Sequence, residues 1–314
     1  MKHPVWLWVV LLTAATGACG PVASRVEIVL DESKPERLLR YYFGAYAGPE
    51  GTDPFDAGLL SEDGGRFYVY PDLLEARHLG MGVLLRKVAS GKSMDFEGME
   101  SFLMATWNEA RGFPQTLDAL REAHPYREES WLRFDVHGPM TTARRRVFVA
   151  EEAIRAALAG YAARGERLLY PAGTAIVGEH VLEGRHVETT AMLRRADGFW
   201  DFVTYDEAGR LSKRTLALPR SLASPTQCAG CHFGSKQFEP ERSFPGHSTP
   251  GPDGPRAYYL DDEARDEVVA TRFDEHRKRS DTVLGIYITA YVSQLRAKRP
   301  RTEEDARLLQ QLGL

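Results

Sequence analysis

The spacing of apolar residues changes along this chain and separates an α-rich part from a β-rich part. Between residues 21 and 130, apolar side chains recur every three or four positions, as in helices that bury one face. The first helix is expected to begin at the capping signal Ser33-Lys34-Pro35-Glu36 and to end at Gly48. Further helices are predicted from Ser93 and after Pro114, with short strands over Val26–Leu30 and Phe67–Tyr70.

From Trp131 the pattern changes to β-branched and aromatic runs separated by turns that contain glycine, which is typical of an antiparallel sheet. One helix, from Glu151 to Ala163, is predicted to interrupt the strands. The predicted strands are Trp131–His137, Arg145–Val149, Thr174–Leu182, His186–Arg194 and Phe199–Tyr205.

Helical spacing returns near the C-terminus, where helices are predicted over Asp261–Phe273, over Asp281–Lys298 and from a cap at Thr302. The whole pattern predicts an α+β fold. Its parts are an α-rich region at 19–130 without an assigned function, an antiparallel sheet domain at 131–245, and a linker with helices at 246–314.

Residues 1–18 have the composition of a secretory signal peptide, because Lys2 precedes an apolar run that small residues follow. The sequence Thr16-Gly17-Ala18-Cys19 resembles a bacterial lipobox, in which the cysteine becomes the lipidated first residue of the mature chain. Thr16 departs from the leucine that this motif prefers, so an ordinary signal peptide cleaved near Ala18 is the alternative. Both interpretations predict export to the periplasm, and the lipobox adds a membrane anchor at Cys19.

The overall composition is that of an ordinary globular protein, with 314 residues, a formal net charge of −4 and 27% charged residues. Three short basic clusters, at 144–146, 277–279 and 296–301, lie beside acidic residues and therefore indicate solvated surface, not a nucleic-acid site. No stretch after residue 19 is apolar enough to span a membrane, so membrane attachment is expected through the lipid only.

Five consecutive residues, Cys228-Ala229-Gly230-Cys231-His232, form the motif that attaches a c-type haem. Two thiols on one helical turn can add to the two vinyl groups of the porphyrin, and the adjacent histidine supplies an axial nitrogen to the iron. The sequence predicts one covalent haem c, held by Cys228 and Cys231, with His232 as the proximal iron ligand. The chain has one other cysteine, Cys19, so once Cys228 and Cys231 hold the haem no pair remains for a disulfide.

Two alternative sites use the same residues. A zinc site would need four ligands, and only His247 lies near the motif in the sequence to complete the set. A dithiol redox site would follow a strand in a thioredoxin-like unit, whereas the residues before Cys228 have the composition of a loop.

The order of these segments resembles the cytochrome P-460 and cytochrome c′-beta family over about residues 131–245. The matching segments are Arg145–Val149, Gly173–Glu179, Phe199–Phe202 and Cys228–His232. The resemblance implies a mostly antiparallel sheet with one c-type haem, the motif histidine as proximal ligand and Arg145 near the haem pocket. P-460 members oxidise hydroxylamine and carry a lysine cross-linked to the porphyrin, and c′-beta members bind nitric oxide. Gly178 stands at the position of that lysine, so an unmodified haem is expected here.

The second axial position of the iron decides between electron transfer and ligand chemistry. No methionine follows Met192, which excludes the downstream methionine ligand of ordinary small cytochromes c. Strand periodicity puts His180 on the same face as Gly178, so His180 is the first candidate for a distal iron ligand. Phe202 or Trp200 is expected to line the pocket. The other candidate ligands are Met192, His186, His247 and His276.

These observations predict an exported, lipid-anchored monohaem cytochrome. It would transfer electrons to a redox partner protein, or bind and turn over a small nitrogen-oxide ligand such as nitric oxide or hydroxylamine. The family often dimerises, so a homodimer is a candidate assembly. The alternative is a surface lipoprotein whose helical region binds a partner, with haem as a sensor or a structural cofactor.

Overall fold

The computed structural model describes residues 24–32, 34–137, 143–165, 168–215, 221–233, 259–260, 266–273 and 280–314. Within these residues the protein combines helices with two separate sheets, so the predicted α+β class is confirmed. None of the described helices is long and apolar enough to cross a membrane.

The α-rich part of the chain up to residue 130, called the first region below, contains a small mixed sheet with helices around it. The strands lie in the order β2-β3-β1-β4, and only the pair of β1 and β4 is parallel. The elements are β1 (Val26–Ile28), α1 (Pro35–Ala47), β2 (Leu60–Asp63), β3 (Arg66–Val69), α2 (Pro71–Arg77), α3 (Met81–Val88), β4 (Ser93–Met94), α4 (Phe96–Ala110) and α5 (Leu117–Ala123).

The three helices predicted for this region are present as α1, α4 and α5. Helix α4 begins three residues later than predicted, because Ser93 pairs with β1 and the Asp95 carboxylate accepts a hydrogen bond from the Gly98 amide at 2.9 Å. Strands β2 and β4 and helices α2 and α3 were not predicted. Each of them is too short for apolar spacing to distinguish it from a loop.

The second sheet has seven antiparallel strands in the order β10-β9-β8-β7-β6-β5-β11. Glu183 and Gly184, with φ of 51° and 79°, form the tight turn that joins its central strands. The strands are β5 (Trp131–His137), β6 (Arg144–Ala150), β7 (Ala175–Leu182), β8 (Arg185–Arg194), β9 (Trp200–Asp206), β10 (Leu211–Ser212) and β11 (Tyr259–Leu260). All five predicted strands are therefore confirmed, with small shifts at their ends.

The remaining elements are helical. Helix α6 (Glu151–Arg164) connects β6 to β7, and α7 (Thr226–Phe233) contains the cysteine motif. At the C-terminus are α8 (Glu267–Arg272), α9 (Ser280–Ala297) and α10 (Glu303–Gln311). Residues 261–265 of the helix predicted over Asp261–Phe273 lie outside the described residues, and the Asp266 carboxylate caps α8 by accepting hydrogen bonds from the amides of Val268 and Val269.

The two faces of the seven-stranded sheet have different neighbours. On one face, Tyr126 packs on Phe148 with ring centroids 5.2 Å apart, so the first region covers this side. On the other face, Phe134 packs on Tyr287 of α9 at 5.7 Å. One continuous cluster of buried apolar residues runs from Val26 to Leu312. The core therefore crosses both predicted boundaries, at 130/131 and at 245/246.

Helix α10 is held by a buried carboxylate, that of Asp305. Its side chain is 1% exposed and forms ion pairs with Arg155 of α6 and, at 3.1 Å, with Lys298. Burial raises the pKa of Asp305, but hydrogen bonds from Arg155, Lys298 and Thr302 outweigh it and lower the pKa to about 2. An exposed aspartate titrates near pH 4. The ionised Asp305 therefore stabilises the fold fully above pH 4, and this effect is lost as the pH falls towards 2.

We expect Asp305→Asn to lower the free energy of unfolding at pH 7 by about 2 kcal/mol. Denaturant titrations of both proteins between pH 7 and pH 3 should show the difference shrinking below pH 4. Glu304→Gln is the matched control, because Glu304 is 77% exposed and contacts the same Arg155 at 3.4 Å. Its effect should stay within about 0.5 kcal/mol. A difference at Asp305 that does not change with pH would contradict this account.

Candidate functional site

A cavity of about 120 Å³ lies between α7 and the face of the large sheet that also contacts α9. Apolar and aromatic side chains make up much of its wall, and polar side chains enter it both from strands β6 to β9 and from α7. Residues that line it are Arg145, Val147, Ile176, Gly178, His180, Glu188, Thr190, Met192, Phe202, Thr204, Gln227, Cys228, His232 and Tyr287.

Helix α7 presents its cysteine motif to this cavity. Cys228 and His232 are four residues apart, which puts both side chains on one face of the helix, and both line the cavity. The start of the helix is fixed from two sides. The Thr226 hydroxyl donates to the Glu100 carboxylate at 2.8 Å, and the Ser224 hydroxyl donates to the carbonyl of Phe202 at 3.1 Å.

The position of Cys228 and His232 at the cavity favours the uncharged form of both side chains. Burial raises the pKa of the Cys228 thiol to about 12. Burial, with a smaller contribution from the positive charge of Arg145, lowers the pKa of the His232 imidazole to about 4. A neutral imidazole is the form that binds a metal. The His232 ring lies against Phe202, with centroids 4.9 Å apart and an angle of 33° between the planes.

Three polar residues face the cavity from adjacent strands of the sheet. Arg145 on β6 is the register partner of His180 on β7, which in turn pairs with Glu188 on β8. His180 is 2% exposed and Glu188 is completely buried. Nδ1 of His180 lies 3.6 Å from a Glu188 carboxylate oxygen, and Nε2 lies 3.2 Å from the Thr190 hydroxyl. Burial, helped by Arg145 and His186, lowers the pKa of His180 well below its usual value, so this imidazole is neutral too.

Gly178 leaves space beside this group. It pairs with Val147 on one side and with Thr190 on the other. A Cβ atom at this position would lie 3.3 Å from the Thr190 hydroxyl oxygen and 3.9 Å from Nε2 of His180. Any larger side chain would therefore extend into the cavity next to the imidazole.

The structure brings most of the predicted site residues together. Arg145, His180, Phe202, Cys228 and His232 line the one cavity, as does Met192. The prediction that residues 178 and 180 share a face is confirmed. His186 is on the opposite face, where its ring contacts the Thr189 hydroxyl at 2.9 Å.

Several predicted residues lie outside what the structure describes. They are Cys19, His247, His276 and the side chain of Cys231, whose backbone belongs to α7. The cavity residues that were not predicted include the polar residues Glu188, Thr190 and Tyr287. Alternation along β8 puts Glu188, Thr190 and Met192 on one face, and that signal could have found the first two.

Comparison with known proteins leaves the family question open. Searches of protein-family models, of curated proteins and of solved structures found no match to this chain. Among the described residues, no group of three or more histidine, cysteine or acidic side chains is arranged to hold a metal ion. The resemblance to the P-460 and c′-beta family therefore stays a prediction that depends on the sequence segments Arg145–Val149, Gly173–Glu179, Phe199–Phe202 and Cys228–His232.

Proposed function

We propose that this chain is an exported c-type monohaem cytochrome, with one haem attached through Cys228 and Cys231 and with His232 as the proximal iron ligand. The observation that carries the proposal is the position of Cys228 and His232 on the cavity side of α7. The complete attachment motif thus belongs to a helix that lies against a largely apolar cavity.

The residues of the cavity suit a haem. Val147, Ile176 and Phe202 would exclude water from the porphyrin faces, and Arg145 adds a positive charge that suits its carboxylate groups. When bound, haem supplies one-electron redox chemistry at its iron.

The activity that we propose is electron transfer, or the binding and redox turnover of a small nitrogen-oxide ligand. Gly178 in place of lysine supports a haem without a cross-link to the chain, which argues against P-460-type oxidation of hydroxylamine. We further propose attachment to the periplasmic side of a bacterial membrane through lipid on Cys19.

The test of this proposal is whether the chain acquires covalent haem. The full-length protein should be matured together with the cytochrome c assembly machinery and then denatured and extracted with acidic organic solvent. We expect a pyridine haemochrome signal that stays with the polypeptide, and an intact mass higher by one haem. A chain that retains no haem under these conditions would overturn the proposal.

A further inference from the structure

We infer that His180 binds the haem iron on the side opposite His232, so that two histidines close both axial positions. This inference rests on the proposed function, because it needs the haem that Cys228 and Cys231 would hold. It starts from a buried imidazole on the sheet side of the cavity whose Nδ1 makes no hydrogen bond within the described residues.

The position of His180 is rigid. It lies in the middle of the seven-stranded sheet, with β6 on one side and β8 on the other. Its side chain is 3% exposed, and Nε2 of its ring contacts the Thr190 hydroxyl at 3.2 Å. An iron ligand has to be held in one orientation, and a central strand provides this better than a loop does.

The Glu188 carboxylate lies behind the ring of His180, where it would orient an imidazole that binds a metal. Histidines that bind metals usually direct their second ring N–H towards a carboxylate or a carbonyl, which fixes the tautomer and makes the ligand more basic. Here Nδ1 of His180 is 3.6 Å from the buried Glu188 carboxylate, so Nε2 is the nitrogen left for the metal. Its present contact is the Thr190 hydroxyl, a group that can rotate away.

Gly178 keeps the approach to Nε2 open. A Cβ atom there would already come within 3.9 Å of that nitrogen, and a longer side chain would fill the space in front of it. Gly178 has no positive φ, so its backbone conformation does not call for glycine. What the glycine provides is open space in front of Nε2.

Met192 is the competing ligand in the cavity. It is the register partner of Phe202, whose ring is 4.9 Å from His232, so it lies at the level of the proximal imidazole. Ile176, the partner of Met192 on β7, precedes His180 by four residues, which is about 13 Å along a strand. Met192 therefore lies close to the level of His232, whereas His180 lies further along the sheet, and only His180 has a carboxylate behind its ring.

A haem closed by two histidines would relay electrons without binding external ligands. Of the two proposed activities, this arrangement favours electron transfer. The protein is then expected to bind neither nitric oxide nor hydroxylamine at the iron.

The test uses the haem-loaded protein and carbon monoxide as the probe. The wild type should give six-coordinate, low-spin spectra in both oxidation states and should bind no carbon monoxide when reduced. His180→Ala should become five-coordinate and high-spin in the reduced form and should bind one carbon monoxide per haem. Added imidazole should restore the low-spin spectrum. His186→Ala is the matched control, because it removes an imidazole from the other face of the same hairpin and should change none of these signals.

Glu188→Gln provides a second test that leaves both histidines in place. Without the carboxylate the imidazole is a weaker donor to ferric iron, so the midpoint potential should rise while the low-spin spectrum is kept. This measurement, with the wild-type spectra, decides the question even if His180→Ala does not fold.

Two results would overturn the inference. One is a wild-type protein with covalent haem that is high-spin or binds carbon monoxide. The other is a low-spin spectrum that survives His180→Ala but is lost in Met192→Leu. Neither would affect the proposed function, which fails only if the haemochrome assay finds no covalent haem.

Discussion

Replacing Cys228 and Cys231 together by serine is expected to abolish covalent haem attachment. The thioether bonds need both sulfurs, and the third cysteine, Cys19, is far from the motif in the sequence. Each single replacement leaves one sulfur and should therefore give attached haem at a lower yield. Haem staining of denaturing gels and intact mass of the matured protein measure both effects.

Cys19→Ser is the matched control for these variants. It makes the same chemical change, and in protein exported behind an ordinary cleavable signal it should leave haem content at one per chain. Metal analysis of the double variant tests the alternative site. If the wild type carries zinc and no haem, and the double variant loses that zinc, the motif is a zinc site and the cytochrome proposal is wrong.

Loss of haem should also lower stability. A group that binds only the folded state stabilises it, and here it would fill a cavity lined by apolar side chains such as Ile176 and Phe202. We therefore expect the double variant to unfold at a lower denaturant concentration than the haem-loaded wild type. Equal midpoints would mean that the cavity walls do not depend on the cofactor.

Much of the large sheet could be predicted from the sequence because its strands are long and alternate clearly. The five long strands were found in this way, and the shared face of Gly178 and His180 follows from their spacing on one strand. The motif itself predicted two thiols on one helical turn with His232 beside them, and the structure puts Cys228 and His232 on one face of α7. These predictions depend on local spacing, and local spacing is what a single sequence retains.

The partner of His180 could not be predicted in the same way. The Glu183-Gly184 turn pairs Val181 with His186, and continuing that register would put Val187 opposite His180. The register shifts between His180 and Val181, so Glu188 takes that place instead. Such a bulge inserts one residue into the ladder and leaves no clear mark in apolar spacing. The pairing of Glu188 with His180 therefore became visible only in three dimensions.

The second large effect is expected at Asp201, which joins the first region to the sheet. Its side chain is 4% exposed, and it accepts a hydrogen bond from Nε of Arg111 at 2.9 Å. Arg195, whose side chain is 3% exposed, lies 3.5 Å from its other oxygen and also donates to the carbonyl of Tyr41. Burial raises the pKa of Asp201 and both arginines oppose that rise, so the charge of this carboxylate depends on them.

Asp201→Ala would leave Arg111 in a largely buried site without its carboxylate partner, whereas Arg195 would keep its ion pair with Asp197. Removal of one partner from a buried charge pair typically costs about 3–5 kcal/mol, and we expect a loss of this size in denaturant titrations of the haem-loaded protein. Asp63→Ala is the control, because Asp63 is 65% exposed and pairs with Arg25 at the surface. Its effect should be below about 1 kcal/mol.

The same variant tests whether the two regions unfold together. Asp201 faces the first region, whereas its neighbour Phe202 lines the haem cavity on the other side of β9. Because one apolar core runs through both regions, we expect a single unfolding transition in which far-UV circular dichroism and haem absorbance change together. If Asp201→Ala separated these signals into two transitions, the first region would be an independent domain that depends on this contact for docking. A single transition at lower denaturant would instead mean that the α-rich region is part of the structure that holds the cavity in shape.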